Sequence, residues 1–470
     1  MNDANLQAVA FWGFLIVYGA VMLFFSPKAV TLGGFFRGED NRGKEAGPFM
    51  LTASIFISWI FAKSVTNAAN LGAQYGIVGG VSYAIYWLCI PVGGWAIYRL
   101  RRKFGATGLV SFLNSNYGHA ASLCFSLAIL IRLFNEIWSN SSVVGGYYGE
   151  SGSTAFIAAA VLFTVITLIY SMKGGLRSSL FTDMIQAVLF FVLLIFLCIW
   201  ILPKHPLGEY LQSGTWSMST GVDLVLVTVV QIFSYPFHDP VLTDRGFICE
   251  EKTMLRAFII SGILGFFAIL LFSFIGIHAT LSGMPLSGNI PADVGRTLST
   301  GAFFLMAMLM ISAAGSTLDS TFSSLAKLTA NDLPGMAGFS FGPRARRIGM
   351  IVMVVFAFVG NAPMIFGTDI LKATTISGTM IIGLAPVFLL HGLVKPTKLG
   401  FHLSFFCGLI LGFLYSFGAV PAFMGIGDGA NALLLGVNLY GTIACTLLYV
   451  GCGLAAQAKD PEWKQKLGNC

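Results

Sequence analysis

The chain has 470 residues, of which 56% are hydrophobic and only 10% charged, with a formal net charge of +7. A soluble domain carries about 25% charged residues, so no water-soluble fold of this length covers the apolar surface, and lipid must do so. Basic residues of a membrane protein gather in its cytoplasmic loops, so the positive balance does not point to nucleic acid.

Backbone polar groups in lipid must be satisfied internally, which leaves helices or a closed β-barrel. The apolar runs are continuous, as over 185–201 and 262–275, where a barrel strand would alternate. An all-α membrane protein is therefore expected, with 1–470 as a single transmembrane domain. Residues 1–7 have no positive n-region, so the first apolar run reads as a retained helix and not as a cleaved signal. In chain order, thirteen spans are expected, at about 8–26, 48–72, 75–98, 118–147, 153–172, 179–202, 221–241, 255–279, 299–327, 347–366, 369–391, 399–424 and 432–456. With the N-terminus outside, 21 Lys and Arg residues fall in inside loops, Arg245 among them, against Lys204 and Arg296 outside. Lys63, Arg132, Lys327 and Lys372 fall within spans. That bias predicts N-out, C-in, in a plasma membrane of the bacterial inner-membrane type. Loops are short and 459–470 is too small to fold, so no output module of a sensor or receptor is expected. Of eight cysteines, Cys89, Cys124, Cys198, Cys407, Cys445 and Cys452 lie in apolar runs. Neither a disulfide framework nor a metal cluster is implied, and no cofactor is expected.

Two spans read as interrupted. The second carries Lys63 and then Ser64, Thr66, Asn67 and Asn70; the seventh reads Ser-Tyr-Pro-Phe-His-Asp-Pro over Ser234 to Pro240. They head two runs of five, 48–202 and 221–391, leaving 8–26 and 399–456 peripheral. Interrupted helices at matching positions point to a midplane site in an inverted-repeat transporter. In span four, Arg132 and Glu136 stand i, i+4, the spacing of a structural ion pair. Asp183 opens span six, where it serves as a helix-start charge or a buried ligand. In span nine, Ser312, Ser316, Asp319, Ser320, Ser323 and Lys327 recur at three and four and line one face. Serines also hydrogen-bond between membrane helices, but a carboxylate in hydrocarbon requires a partner, a cavity or an ion. Hydroxyls, carbonyls and a carboxylate suit a small hard cation. Lys63 requires a carboxylate, with Asp319 or Asp183 as candidates.

The stretch from Ser316 to Asp332, the Gly174-Gly175-Leu176…Thr182-Asp183…Gln186 run and Asp244-Arg245 together resemble the sodium:solute symporter family, the group of the sodium/galactose and sodium/proline carriers. The resemblance implies a leucine-transporter-type 5+5 fold and a sodium site between spans two and nine. The ligands it implies are the carbonyls of Ile57, Ile60 and Ala313 and the hydroxyls of Ser316 and Thr317. Some relatives place a second ion at the position of Asp183, with ligands matching Asp319 and Ser320. Here a carboxylate at 319 faces a cation at 63, and Lys63 is expected to neutralise Asp319. Tyr235 matches a gating aromatic of galactose carriers, and Ser64 replaces a sugar-contacting Gln, which argues against sugars. Ser64, Asn67, Tyr235, Phe237 and His238 are the candidate solute and gate residues. The reading is a sodium-driven importer of a small polar organic solute working by alternating access, with sodium as coupling ion and oligomeric state open. A proton-coupled or sodium-independent carrier and a solute sensor are the alternatives. A channel would need a selectivity ring, and an enzyme a catalytic cluster, for which His238-Asp239 is the sole candidate.

Overall fold

The structure, a computed structural model, describes residues 3–286, 288–366, 377–460 and 462–463. These residues are helical throughout and form no strand beyond one isolated bridge between His391 and Val394. We number the principal helices α1 (Asp3–Phe25), α2 (Pro48–Trp59), α3 (Ala62–Tyr75), α4 (Ile77–Phe104), α5 (His119–Gly145), α6 (Thr154–Gly174), α7 (Leu176–Ile201), α8 (Val222–Gln231), α9 (Glu251–Leu281), α10 (Thr300–Lys327), α11 (Ala345–Val359), α12 (Lys398–Ser416) and α13 (Ala432–Ala458).

Among the described residues nine helices are long and apolar enough to cross a bilayer, and a tenth span arises if the bent pair α2–α3 is one. The expected first and seventh spans appear as shorter apolar helices, Val9–Phe25 and Val222–Gln231. Residues 369–376 of the expected eleventh span, Lys372 included, lie outside the described residues. Outward faces are greasy: Val188, Ile195 and Ile199 of α7 are each more than half exposed, as a lipid-facing stripe requires.

The second span breaks three residues earlier than its polar cluster suggests. Ile60 leaves helical geometry (ψ 77°) and Phe61 is extended. The axis then turns by 57° into α3. Lys63 to Asn70 are helical, so the polar side chains do not make the break; they lie on the helix beyond it. The freed Ala62 N–H is satisfied by Asn140 Oδ1 on α5 at 3.1 Å, as a break in lipid demands. The seventh span breaks where expected. Proline at 236 and 240 removes two backbone donors, and Asp239 caps the returning turn by accepting from Val241 N at 3.0 Å.

Small residues bring α3 and α9 close together. A Cβ on Gly276 would sit 1.7 Å from the Ala69 carbonyl oxygen, and one on Gly72 would sit 2.2 Å from that of Ser273. Backbone cannot yield as a side chain would. Gly276→Ala is expected to cost about 1–3 kcal/mol or more, read as a fall in thermal midpoint in detergent. Gly13→Ala, with nothing within 4 Å, is expected to leave it unchanged.

Candidate functional site

Three helices turn hydroxyl rows toward one another: Ser54 and Ser58 on α2, Ser179 and Asp183 on α7, and Ser312, Ser316 and Ser320 on α10, each row at i, i+4. All are buried. Asp183 Oδ2 accepts from Ser54 at 2.5 Å and Ser58 at 3.1 Å, and its Oδ1 accepts from Ser316. Asp319 accepts from Ser179 at 2.9 Å and Thr182 at 2.8 Å. The Thr317 hydroxyl lies 3.2 Å from the carbonyl oxygens of both Ser58 and Ala313.

Thus Ala313, Ser316 and Thr317 lie together beside the break in the second span. The carbonyl facing Thr317 is that of Ser58. Ile57 O accepts from Ile60 N at 3.1 Å, inside the last turn. One turn along α10 from Ser316, the buried Ser312 Oγ has no hydrogen-bond partner, nor has the buried Gln186 Oε1 one turn along α7 from Asp183. Carbonyls, hydroxyls and uncommitted buried oxygens make a donor set that fits a hard monovalent cation.

Lys63 does not meet Asp319. Its ammonium pairs with Glu136 at 2.6 Å, because the break at Ile60–Phe61 puts Lys63 at the start of α3, which leans toward α5. The expected Arg132–Glu136 pair is present, and Arg132 also reaches Asp239 at 3.0 Å in the break of the seventh span. Trp59 Nε1 donates to Asp239 at 3.2 Å. Two cations and two carboxylates, all buried, therefore tie the two breaks together through α5. The cation beside Asp183 is Arg245, which donates to it at 2.9 Å. Arg245 follows a span in sequence and so counted as a loop residue, yet the chain turns back into the bundle and buries it completely.

A cavity of 630 Å³ opens from the end of the bundle that carries Gln74, Tyr75 and Asn431 and reaches inward to Tyr83 and Tyr86. Tyr83 receives a hydrogen bond from Asn67 at 3.1 Å and donates to Ser64 at 3.4 Å. Tyr86 donates to Gln231 at 2.5 Å, and Gln231 donates to Asn438 at 2.8 Å. Below them Tyr235 packs edge-on against Trp59, with ring centroids 5.9 Å apart, and lies 5.2 Å from the Tyr86 ring. Ser64, Asn67 and Tyr235 thus come together. Phe237 does not join them: it packs on Phe388 at 4.6 Å. His238 packs edge-on against the Tyr235 ring, with centroids 4.9 Å apart and Nδ1 2.7 Å from the Tyr235 carbonyl, and it also lines a separate apolar groove with Ile131 and Phe406. Gln231 and Asn438, polar residues inside apolar runs, were signals for the missed members; Tyr83, Tyr86 and Trp59 carried none. No group of three or more His, Cys, Asp or Glu suited to a metal occurs among the described residues.

Residues 42–210 match the family model described as the sodium:solute symporter family, a stretch that includes the Gly174–Gln186 motif. Curated relatives are solute carrier family 5 member 4A of Mus musculus, 22% identical over 52% of this chain and 38% of the relative, and the urea active transporter of Saccharomyces cerevisiae, 21% identical over 55% and 38%. Sodium/glucose cotransporter 1 of Oryctolagus cuniculus is 23% identical over 41% and 28%. The chain spans less than two fifths of the length of these relatives. Among solved structures, a Na+-coupled sialic acid symporter in a substrate-bound outward-open state superposes with TM-score 0.71 at 15% identity, covering 96% of this chain and 98% of that one. A nucleobase-cation-symport-1 family transporter in a closed conformation gives 0.59 at 16%, covering 95% and 98%. The fold shared with these structures is all-helical, and the matched family is one of transporters, not enzymes.

Proposed function

We propose that the protein is a sodium-coupled symporter that imports a small polar organic solute by alternating access. The observation that carries the reading is the meeting of Ser316 and Thr317 with the broken end of α2: hydroxyls, the Ala313 carbonyl and the Ser58 carbonyl converge where a helix has released its backbone. The Na+-coupled fold relative supports sodium as the ion. We take 48–202 and 221–391 as the inverted repeats, with the N-terminus outside. The cavity over Tyr83 and Tyr86 is then the outer approach to the solute.

Sodium joins α2 to α10 only while the two are correctly spaced, so its binding favours one state of the carrier, and solute binding adds to that preference. An entering charge at −100 mV contributes about 2.3 kcal/mol beyond the concentration term. The solute place we assign is the ring of Ser64, Asn67, Tyr83, Tyr86 and Gln231, with Tyr235 as its floor. Those groups are uncharged donors and acceptors with aromatic faces, which suits a compact polar solute. The test is a thermal-shift screen of purified protein against amino acids, short carboxylates, urea and vitamins, with and without sodium. A solute that stabilises only in sodium, and no longer does so in Tyr86→Phe, is the expected result. Equal stabilisation in potassium would contradict it.

A further inference from the structure

The pocket between α2, α7 and α10 holds more than hydroxyls. Arg245 enters it from the turn that follows the seventh-span break and is fully buried. Its Nε donates to Ser54 at 2.7 Å. Its Nη2 lies 3.0 Å from Ser58, 2.9 Å from Asp183 and 2.7 Å from Ser320. Nη1 donates to the Val241 carbonyl of its own turn. One guanidinium therefore takes up oxygens from three helices, the same hydroxyl-and-carboxylate set that would surround an alkali cation.

We propose that Arg245 is a built-in cation that holds one of two monovalent-cation places in this pocket, so that the carrier takes a single sodium per cycle. The inference rests on the sodium-coupled reading above. Its second support is a count of charge. Two carboxylates, Asp183 and Asp319, share the pocket through Ser179, which lies 3.3 Å from the first and 2.9 Å from the second. Among the described residues, Arg245 is the cation that reaches them. With both carboxylates ionised, one fixed positive charge against two negative leaves a single negative charge buried, and a buried unpaired charge is strongly disfavoured. One sodium at Ser316 and Thr317, beside Asp183 Oδ1, closes the balance; a second would leave the pocket positive.

The neighbouring charges do not alter this count. Lys63 and Arg132 are balanced by Glu136 and Asp239. Lys327, Asp244 and Asp332 sit at a rim where each side chain keeps 12–20% of its exposure, within reach of screening by water and salt. Lys63 therefore does not play the neutralising part that its sequence position suggests; Arg245 plays it from another element.

Equilibrium binding of radioactive sodium to the purified full-length protein tests the proposal. Wild type is expected to bind one sodium per chain, Arg245→Ala two, and Arg245→Lys one. Two sodium ions in wild type, or one in a folded Arg245→Ala, would overturn it. If Arg245→Ala fails to fold, the wild-type stoichiometry decides alone, one supporting and two overturning. No sodium bound in wild type would bring down the sodium-coupled reading itself, an outcome distinct from either.

Discussion

Glu136→Gln is expected to lower the thermal midpoint of the purified protein more than any other single substitution of an ionisable side chain in the Lys63–Arg132–Asp239 group. Glu136 Oε1 receives the Lys63 ammonium at 2.6 Å and the Arg132 guanidinium, and all three side chains are almost fully buried. A neutral amide leaves two cations facing the single carboxylate of Asp239. Removing one partner of a buried pair costs about 3–5 kcal/mol, a large part of the stability of an ordinary domain. Lys63→Met in the same chain restores charge balance, since Arg132 still holds Asp239 at 3.0 Å, and is expected to recover a large part of the loss. Glu209→Gln, at a half-exposed carboxylate paired with His205 at 3.4 Å, is the control and is expected to change stability by no more than about 0.5 kcal/mol. A Glu136→Gln protein as stable as wild type would show that the two helix breaks are not held through α5.

The second large effect concerns the ion. Thr317 lies 3.2 Å from the carbonyl oxygens of Ser58 and Ala313 and so sits where the proposed sodium meets both α2 and α10. Thr317→Ala removes a ligand oxygen together with one buried methyl group. Ser316→Ala removes a hydroxyl that also donates to Asp183 Oδ1. Losing one oxygen of a shell of about six is expected to weaken sodium by at least about tenfold, or about 1.4 kcal/mol. Ser316→Ala is expected to do more, because Asp183 loses a donor with it. Thr321, one turn further along α10, bonds back to the Thr317 carbonyl at 2.8 Å, and Thr321→Ala is expected to leave sodium affinity unchanged.

The polar face of α10 was legible because helical spacing alone puts Ser312, Ser316 and Ser320 on one side, and an unpaired carboxylate among them cannot be lipid-facing. The break in the seventh span was legible because proline acts locally. The partner of Lys63 was not. It depends on whether the chain turns before or after residue 63, and the turn comes at Ile60–Phe61, set by tertiary capping from Asn140 and not by the polar residues beyond it. Arg245 was hidden for a related reason. A basic residue just past an apolar run reads as a loop charge, and nothing in the sequence says that the chain folds back and seats it beside Asp183. Phe237 shows the same limit at shorter range: close to Tyr235 in the chain, it points elsewhere because a tight turn rotates nearby side chains apart.

The central claim is that sodium binds where Thr317 faces the broken end of α2. Titrating sodium against potassium at constant ionic strength, and following the thermal midpoint of purified wild type and Thr317→Ala, tests it most directly. The midpoint of wild type is predicted to rise saturably with sodium, and that of Thr317→Ala to stay flat over the same range. A wild-type midpoint indifferent to sodium, or an equal rise in the variant, would contradict the account.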